Sequence, residues 1–361
     1  MFPIHASVRG HVRWCVLGED GTLEVPRSPS GRPLAAAEGV LQPNLITDAG
    51  MNYIAVSSPF NTLTGAGNAS TMRNTLAVGT GSTAPNVSDV ALDNEVQSDN
   101  TSGAHSVGGT TCGLDTSANV WTAASHVNRI VTMTEQRNLT EFGLRAAGSS
   151  IFVRELLRDT GGVPITVTIP TGKSILVTHT FEIEMPAPAA GHSGTIDIEE
   201  YDISDVLVDT LSYGAVWGFW QGSTGGDVNR RVRDLFGVWD PSVTTTGSSQ
   251  GRGVDAIKND ISYQRLVPSG WLTDNRRLSQ SLPMQLEDYV AGSFERVKYG
   301  VFPPGSANGN SYGYIMADTM TGATNPDFFS GFVLILDSPT AYDKAATDEL
   351  RFGLRSTWAR A

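Results

Sequence analysis

The apolar residues of this chain recur at every second position, and that period decides what it can fold into. In Val177 to Met185, the residues Val177, Phe181, Ile183 and Met185 fall on one face with His179, while Thr178, Thr180, Glu182 and Glu184 fall on the other. Side chains alternate across a strand, so this pattern places one face in a core and the other in water. On a helix the same residues would scatter around the axis. Ile165, Val167 and Ile169 alternate with Thr166 and Thr168 in the same way. Leu350, Phe352, Leu354 and Trp358 do so against Arg351, Arg355 and Thr357. Turn residues separate such runs: Glu19-Asp20-Gly21, Asp159-Thr160-Gly161-Gly162, Pro170-Thr171-Gly172 and Asp337-Ser338-Pro339. Frequent strands joined by Gly-rich turns predict a mainly β protein of antiparallel β-sandwich-like domains. Helical signals are few. Asn44 to Val56 carries an N-cap at Thr47, with Met51, Ile54 and Ala55 spaced for one buried face. Ser88-Asp89 is a candidate cap for a short turn through Leu92, and Asp255 to Ile261 is a further short candidate.

A chain of 361 residues usually exceeds one core, and 40% hydrophobic residues suffice for two. Two stretches share an order of features. The first runs Leu139 to Leu144, Ile151 to Leu156, Pro170-Thr171, Lys173 and the strand ending at Met185. The second runs Val297 to Val301, Tyr312 to Ala317, Pro339-Thr340, Lys344 and the strand ending at Trp358. That order predicts an internal duplication. A first domain over residues 1–192 would hold an N-terminal hairpin (Val12 to Val25), the helix and one β module. A second over 193–361 would hold the other, with the boundary near Gly191 to Gly194.

Charge narrows the function. With 25 Lys plus Arg against 37 Asp plus Glu, the net charge is 25 − 37 = −12, which argues against a nucleic-acid partner. The longest apolar runs, such as Phe332 to Leu336, fall far short of the ~20 residues of a membrane helix. Met1-Phe2-Pro3-Ile4-His5 lacks the basic start and apolar stretch of a secretory signal, so synthesis and assembly in a cytoplasm are expected. Cys15 and Cys112 stand far apart without a CxxC or Cys/His cluster, which predicts reduced thiols and no structural zinc.

Motifs that suggest chemistry lack their context. Gly172-Lys173-Ser174 resembles the tail of a phosphate-binding loop, but Val167 stands where the first Gly belongs and a strand follows instead of a helix. Gly247-Ser248-Ser249-Gln250-Gly251 fits the nucleophile elbow of hydrolases, yet every His lies at or before His192, and the hydrolase order needs one after the Ser. Asp197, Glu199, Glu200, Asp202, Asp205 and Asp209 form an acidic cluster that could serve glycoside cleavage or Ca²⁺. A solvated hairpin accounts for it more simply. His179, on the apolar face of its strand, reads as a core histidine. No cofactor or metal is expected, nor an enzyme. Trp217, Phe219 and Trp220, with Trp239 and Trp271, suit a core or subunit contact better than a sugar platform. Arg230, Arg231 and Arg233, with Arg276-Arg277, could set register against an acidic neighbour. The candidate interface residues are therefore Trp217, Phe219, Trp220, Arg230, Arg231 and Arg233.

One further run has no catalytic logic. Asn44-Leu45-Ile46-Thr47-Asp48-Ala49-Gly50 precedes Val78-Gly79-Thr80-Gly81-Ser82-Thr83-Ala84-Pro85, then Asp89, Ala91-Leu92 and Glu95. With Leu139 to Leu144 and Ile151 to Arg154, this resembles a widespread type of tailed-bacteriophage virion structural protein, over roughly residues 40 to 185. The resemblance implies a tail component such as a collar, sheath or appendage subunit. Its partners would be copies of itself and other phage tail proteins. The competing implication is a receptor-binding fibre or spike that recognises or cleaves host surface glycan. The shared residues read as turn and packing positions, with Gly79 and Gly81 supplying special backbone angles and Pro85 ending the strand.

Overall fold

In a computed structural model, the described residues are 2–36, 38–55, 73–101, 109–115, 120–146, 149–186, 192–202, 204, 206–221, 253–257, 284–305, 309–311, 313–317, 330–336, 342–347 and 349–361. The protein is mainly β, with one helix among these residues. The chain divides into two compact units, each gathered from separated stretches. The first comprises Ser7–Thr111, Ala124–Ile183 and Ala359–Ala361, and the second Met1–Ala6, Cys112–Ala123 and Glu184–Trp358.

The first half of the chain supplies β1 (Phe2–Leu17), β2 (Leu23–Glu24), β3 (Val40–Ile46), α1 (Asp48–Ile54), β4 (Thr75–Gly79), β5 (Glu95–Asp99), β6 (Gly109–Asp115), β7 (Val120–Thr132), β8 (Arg137–Leu139), β9 (Glu141–Arg145), β10 (Ile151–Leu156), β11 (Val167–Ile169) and β12 (Ser174–Pro186). In the first unit the antiparallel order is β5, β4, β9, β10, β3, β1. β3 pairs with β1 through Val40 to Asn44 and with β10 through Leu45 and Ile46, so one strand serves two ladders. The expected hairpin is present, with Val16 opposite Glu24 and Leu17 opposite Leu23. The alternation of β12 is realised: Val177, His179, Phe181, Ile183 and Met185 are buried, and the Thr and Glu residues between them are not. Cys15 is free and buried, and burial pushes its thiol up to about 11.

The helix capped at Thr47 is present as expected, and two other helix expectations change. Asn44 to Ile46 close β3, and α1 starts only after Thr47. Thr47 Oγ1 accepts from Gly50 N at 3.0 Å and donates to the Ile151 carbonyl at 2.6 Å, so the cap is bolted to β10. Ser88-Asp89 opens no helix. Ser88 N donates to Asn86 Oδ1 at 3.0 Å, forming a local side-chain turn that replaces a helical one. Residues 255–257 of the third candidate lie on a strand, 253–257, paired with 313–317, because cross-strand partners outweigh a weak local helix signal; residues 258–261 lie outside the described residues. Gly50 then sets a competition. Alanine is favoured over glycine in a helix by about 1 kcal/mol. A Cβ here, however, would stand 2.4 Å from the Phe152 carbonyl oxygen, which is backbone and cannot swing away. Overpacking of about 1–3 kcal/mol wins, and Gly50→Ala is expected to lower the melting temperature, read by circular dichroism.

The second half supplies β13 (His192–Tyr201), β14 (Leu207–Gln221), β15 (Gly253–Ile257), β16 (Met284–Leu286), β17 (Glu295–Phe302), β18 (Gly309–Ser311), β19 (Gly313–Ala317), β20 (Ser330–Leu336), β21 (Tyr342–Lys344) and β22 (Glu349–Arg360). In the second unit the antiparallel order is β16, β17, β22, β13, β14, β20, β19, β15. Phe302, Leu350 and Trp358 are buried there, and Trp358 stacks on Tyr289 at 5.9 Å between ring centroids.

Candidate functional site

Residues of the Gly79 to Asn94 stretch, with Glu141 and Arg154, converge on one buried ionic knot in the first unit. Glu141 lies opposite Gly79 on one side and Leu156 on the other, and Arg154 lies opposite Gly143. Glu141 and Arg154 are therefore diagonal neighbours on one face of the sheet. Both are sealed from water, at 0% and 1% exposure. Arg154 donates from Nε and Nη2 to Glu141 Oε2 at 3.0 and 2.8 Å. It also reaches Asp89 at 2.7 Å, Asp93 at 2.8 Å and the Thr83 carbonyl at 3.1 Å.

The other oxygen of Glu141 works on the backbone. Oε1 accepts from Gly81 N and Asn94 N, both at 2.9 Å, while Oε2 adds Asp93 N at 3.3 Å. The loop from Gly79 to Asn94 is thus clasped at both ends by one carboxylate. Burial works against the Arg154 charge, and the hydrogen bonds to Asp89 and Glu141 outweigh it, holding the guanidinium above its ordinary range. The Thr83 hydroxyl and N–H, with Arg154, hold Asp93 below the usual carboxylate range.

The glycines of the pattern have a different role from the one expected. Neither Gly79 nor Gly81 has a positive φ. Their contribution is space: a Cβ on Gly79 would stand 2.6 Å from Glu141 Oε1, and one on Gly81 2.3 Å from the same atom and from Asp93 Cβ. β4 already ends at Gly79, so Pro85 lies in the loop rather than closing the strand. Leu92 packs with Ala77 and Ile151, and Glu95 takes both guanidinium nitrogens of Arg145 at 2.8 Å. The chemistry of this arrangement is mutual satisfaction. Its donors and carboxylates are turned on one another and on the chain.

The other candidates distribute as follows. Lys173 Nζ pairs with Glu24 at 2.6 Å, and β12 begins directly after it, so the phosphate-loop tail is a turn before a strand. The acidic residues Asp197, Glu199 and Glu200 lie on β13 and Asp209 on β14, in one hairpin. Asp202 Oδ1 is spent on Ser204 N and Val206 N in its turn. Asp205 lies outside the described residues, as do Arg230, Arg231, Arg233, Trp239, Gly247 to Gly251, Trp271, Arg276 and Arg277. The backbone of Trp217 sits opposite His192 of β13 and Leu334 of β20, that of Phe219 opposite Phe332 and that of Trp220 opposite Gly331, while their side chains are outside the description. Trp217 is flanked by strands on both sides, so a subunit contact there would use the face of the sheet and not its edge. His179 is a core histidine, as expected.

Sequence reasoning missed the pairing of Glu141 with Arg154, although both stood in quoted strands. The available signal was a pair of charges, Arg154 and Glu155, inside an otherwise apolar run, Ile151 to Leu157, where a buried charge requires a partner. Buried Arg73 was missed outright. Among the described residues, no cluster of His, Cys, Asp and Glu is placed to hold a metal ion, and no helix is long and apolar enough to cross a membrane. Comparison of the chain with protein-family models, with curated proteins and with solved structures finds no match.

Proposed function

We propose that the chain is a non-enzymatic structural subunit of a bacteriophage virion. Its place would be the tail, as a collar, sheath or appendage protein, assembling as a symmetric homo-oligomer in the host bacterial cytoplasm. The observation that carries this reading is the inward use of the phage-like pattern. Glu141, Arg154, Asp89 and Asp93 spend their hydrogen bonds on fixing the Gly79 to Asn94 loop, which suits a rigid building block better than a ligand cleft. An exposed apolar run adds support. Val206, Leu207 and Val208 are 57%, 50% and 65% exposed at the turn of the β13–β14 hairpin, and contiguous apolar surface of this kind suits protein contacts. Partners would be copies of the chain and other tail proteins. Truncating Trp217 and Trp220 together to Ala is expected to dissociate the oligomer in analytical ultracentrifugation while the circular dichroism spectrum stays that of a β protein. An assembly unchanged by the double truncation would remove these residues from the contact.

A further inference from the structure

The first unit holds a second buried cation, and among the described residues no carboxylate pairs with this one. Arg73 is 1% exposed. Its Nη1 donates to the Ser125 carbonyl at 3.2 Å and to His179 Nδ1 at 2.7 Å, and Nη2 donates to Ser125 Oγ at 2.9 Å. The guanidinium lies 5.7 Å from the centroid of the Phe181 ring. Among the described residues no carboxylate pairs with it, and residues 56–72, which precede it, contain neither Asp nor Glu. Burial, reinforced by Arg129, brings Arg73 down to about 9, so it is still a cation at neutral pH.

Arginine has only donors, and this fixes the state of its partner. Nδ1 of His179 must offer a lone pair, so the ring is neutral with its proton on Nε2. The Asn44 amide stands 3.4 Å from Nε2. Turning that amide over satisfies the imidazole N–H and also Asn44 Oδ1, which is otherwise buried without a partner. A second proton on His179 would set donor against donor and cation against cation in a sealed site, where neither charge can reach water.

The surroundings offer little relief. β7 brings His126 and Arg129, and β1 brings His11. On β12 itself the nearby acid is Glu182, engaged by Arg9 of β1 at 2.5 Å. β3 brings the Asn44 amide, and β10 brings the Phe152 ring, edge-on at 6.2 Å.

We propose that Arg73 and His179 form an acid-sensitive lock: neutral His179 holds Arg73 in the core, and protonation of His179 expels the guanidinium and frees the segment that leads into β4 from its hold on β7 and β12. The sign follows from linkage. Burial first, then Arg73, His11 and His126, keep His179 well below its ordinary 6.5 in the folded protein. The unfolded chain therefore binds a proton that the folded chain does not. Stability from this site is complete above about 6.5 and is lost as the pH falls below it.

Hydrogen exchange of the full chain, corrected for intrinsic rates and followed from about pH 8 to about pH 5, tests the lock. In the wild type, protection of amides from Asn74 to Val78 and in the Ser125 segment of β7 is expected to fall about ten-fold per pH unit below 6.5. His179→Gln, whose amide oxygen can accept from Arg73 but takes up no proton, is expected to hold that protection through the window. The same pH dependence in His179→Gln would overturn the proposal. Should that variant not fold, ring ¹⁵N shifts of wild-type His179 decide the matter. An Nε2–H tautomer that resists titration until protection is lost supports the lock, and a ring that titrates near 6.5 with protection intact overturns it.

Discussion

Replacing Arg154 with alanine is expected to cost about 3–5 kcal/mol, the range for removing one member of a buried ion pair. The loss comes from what is left behind. Glu141, at 0% exposure, would keep its charge with only backbone N–H groups to offset it, and Asp89 and Asp93 would lose the cation that draws them together. Urea unfolding followed by circular dichroism reads the effect, and exchange at β4, β9 and β10 assigns it to the first unit. Removing both charges, as Arg154→Met with Glu141→Leu, should recover only part of the loss: no fully buried charge is left unpaired, but Asp89 and Asp93 still lose their cation and Gly81 N and Asn94 N lose their acceptor. A single substitution costing under about 1 kcal/mol would mean that the knot does not hold the loop.

Gly81→Ala is expected to cost about 3 kcal/mol, at the upper end for overpacking. Its backbone angle tolerates a side chain, so only space is at issue. The new Cβ would meet Asp93 Cβ and Glu141 Oε1 at 2.3 Å, and Glu141 cannot retreat without dropping Gly81 N and Asn94 N. Gly161→Ala is the control. Its nearest neighbour is Asp159 Oδ1 at 3.2 Å on an exposed turn, and the change should stay within about 0.5 kcal/mol. Equal losses at both positions would indicate a general intolerance of alanine in these loops and not a shaped space for Glu141.

The strands were legible because burial on one face writes itself into every second residue. β12 is the plainest case, down to His179 as a buried member of its apolar face. The cap at Thr47 was legible for a similar reason: a short polar side chain before an apolar stripe has a local geometric use. What lay beyond was set by contacts distant in sequence. Glu141 meets Gly81 and Asn94 only because β4 and β9 pair, and alternation does not name partners. Gly79 and Gly81 carry a signal for missing side chains without saying whether angle or space is the reason, and space proved decisive. Residues 255–257 illustrate the converse, a weak helical signal overridden by pairing with 313–315. Nor does a period of two report which stretches share a unit. Cys112–Ala123 groups with Glu184–Trp358 although in sequence it lies between two stretches of the first unit, Ser7–Thr111 and Ala124–Ile183.

The proposed role rests on many copies of the chain meeting one another, and the most direct test is the mass of the purified wild type by light scattering after gel filtration. The account predicts a closed homo-oligomer, with about six or twelve copies for a collar or sheath and about three for an appendage. A particle of one chain's mass, 38.4 kDa, at every concentration tested would contradict it.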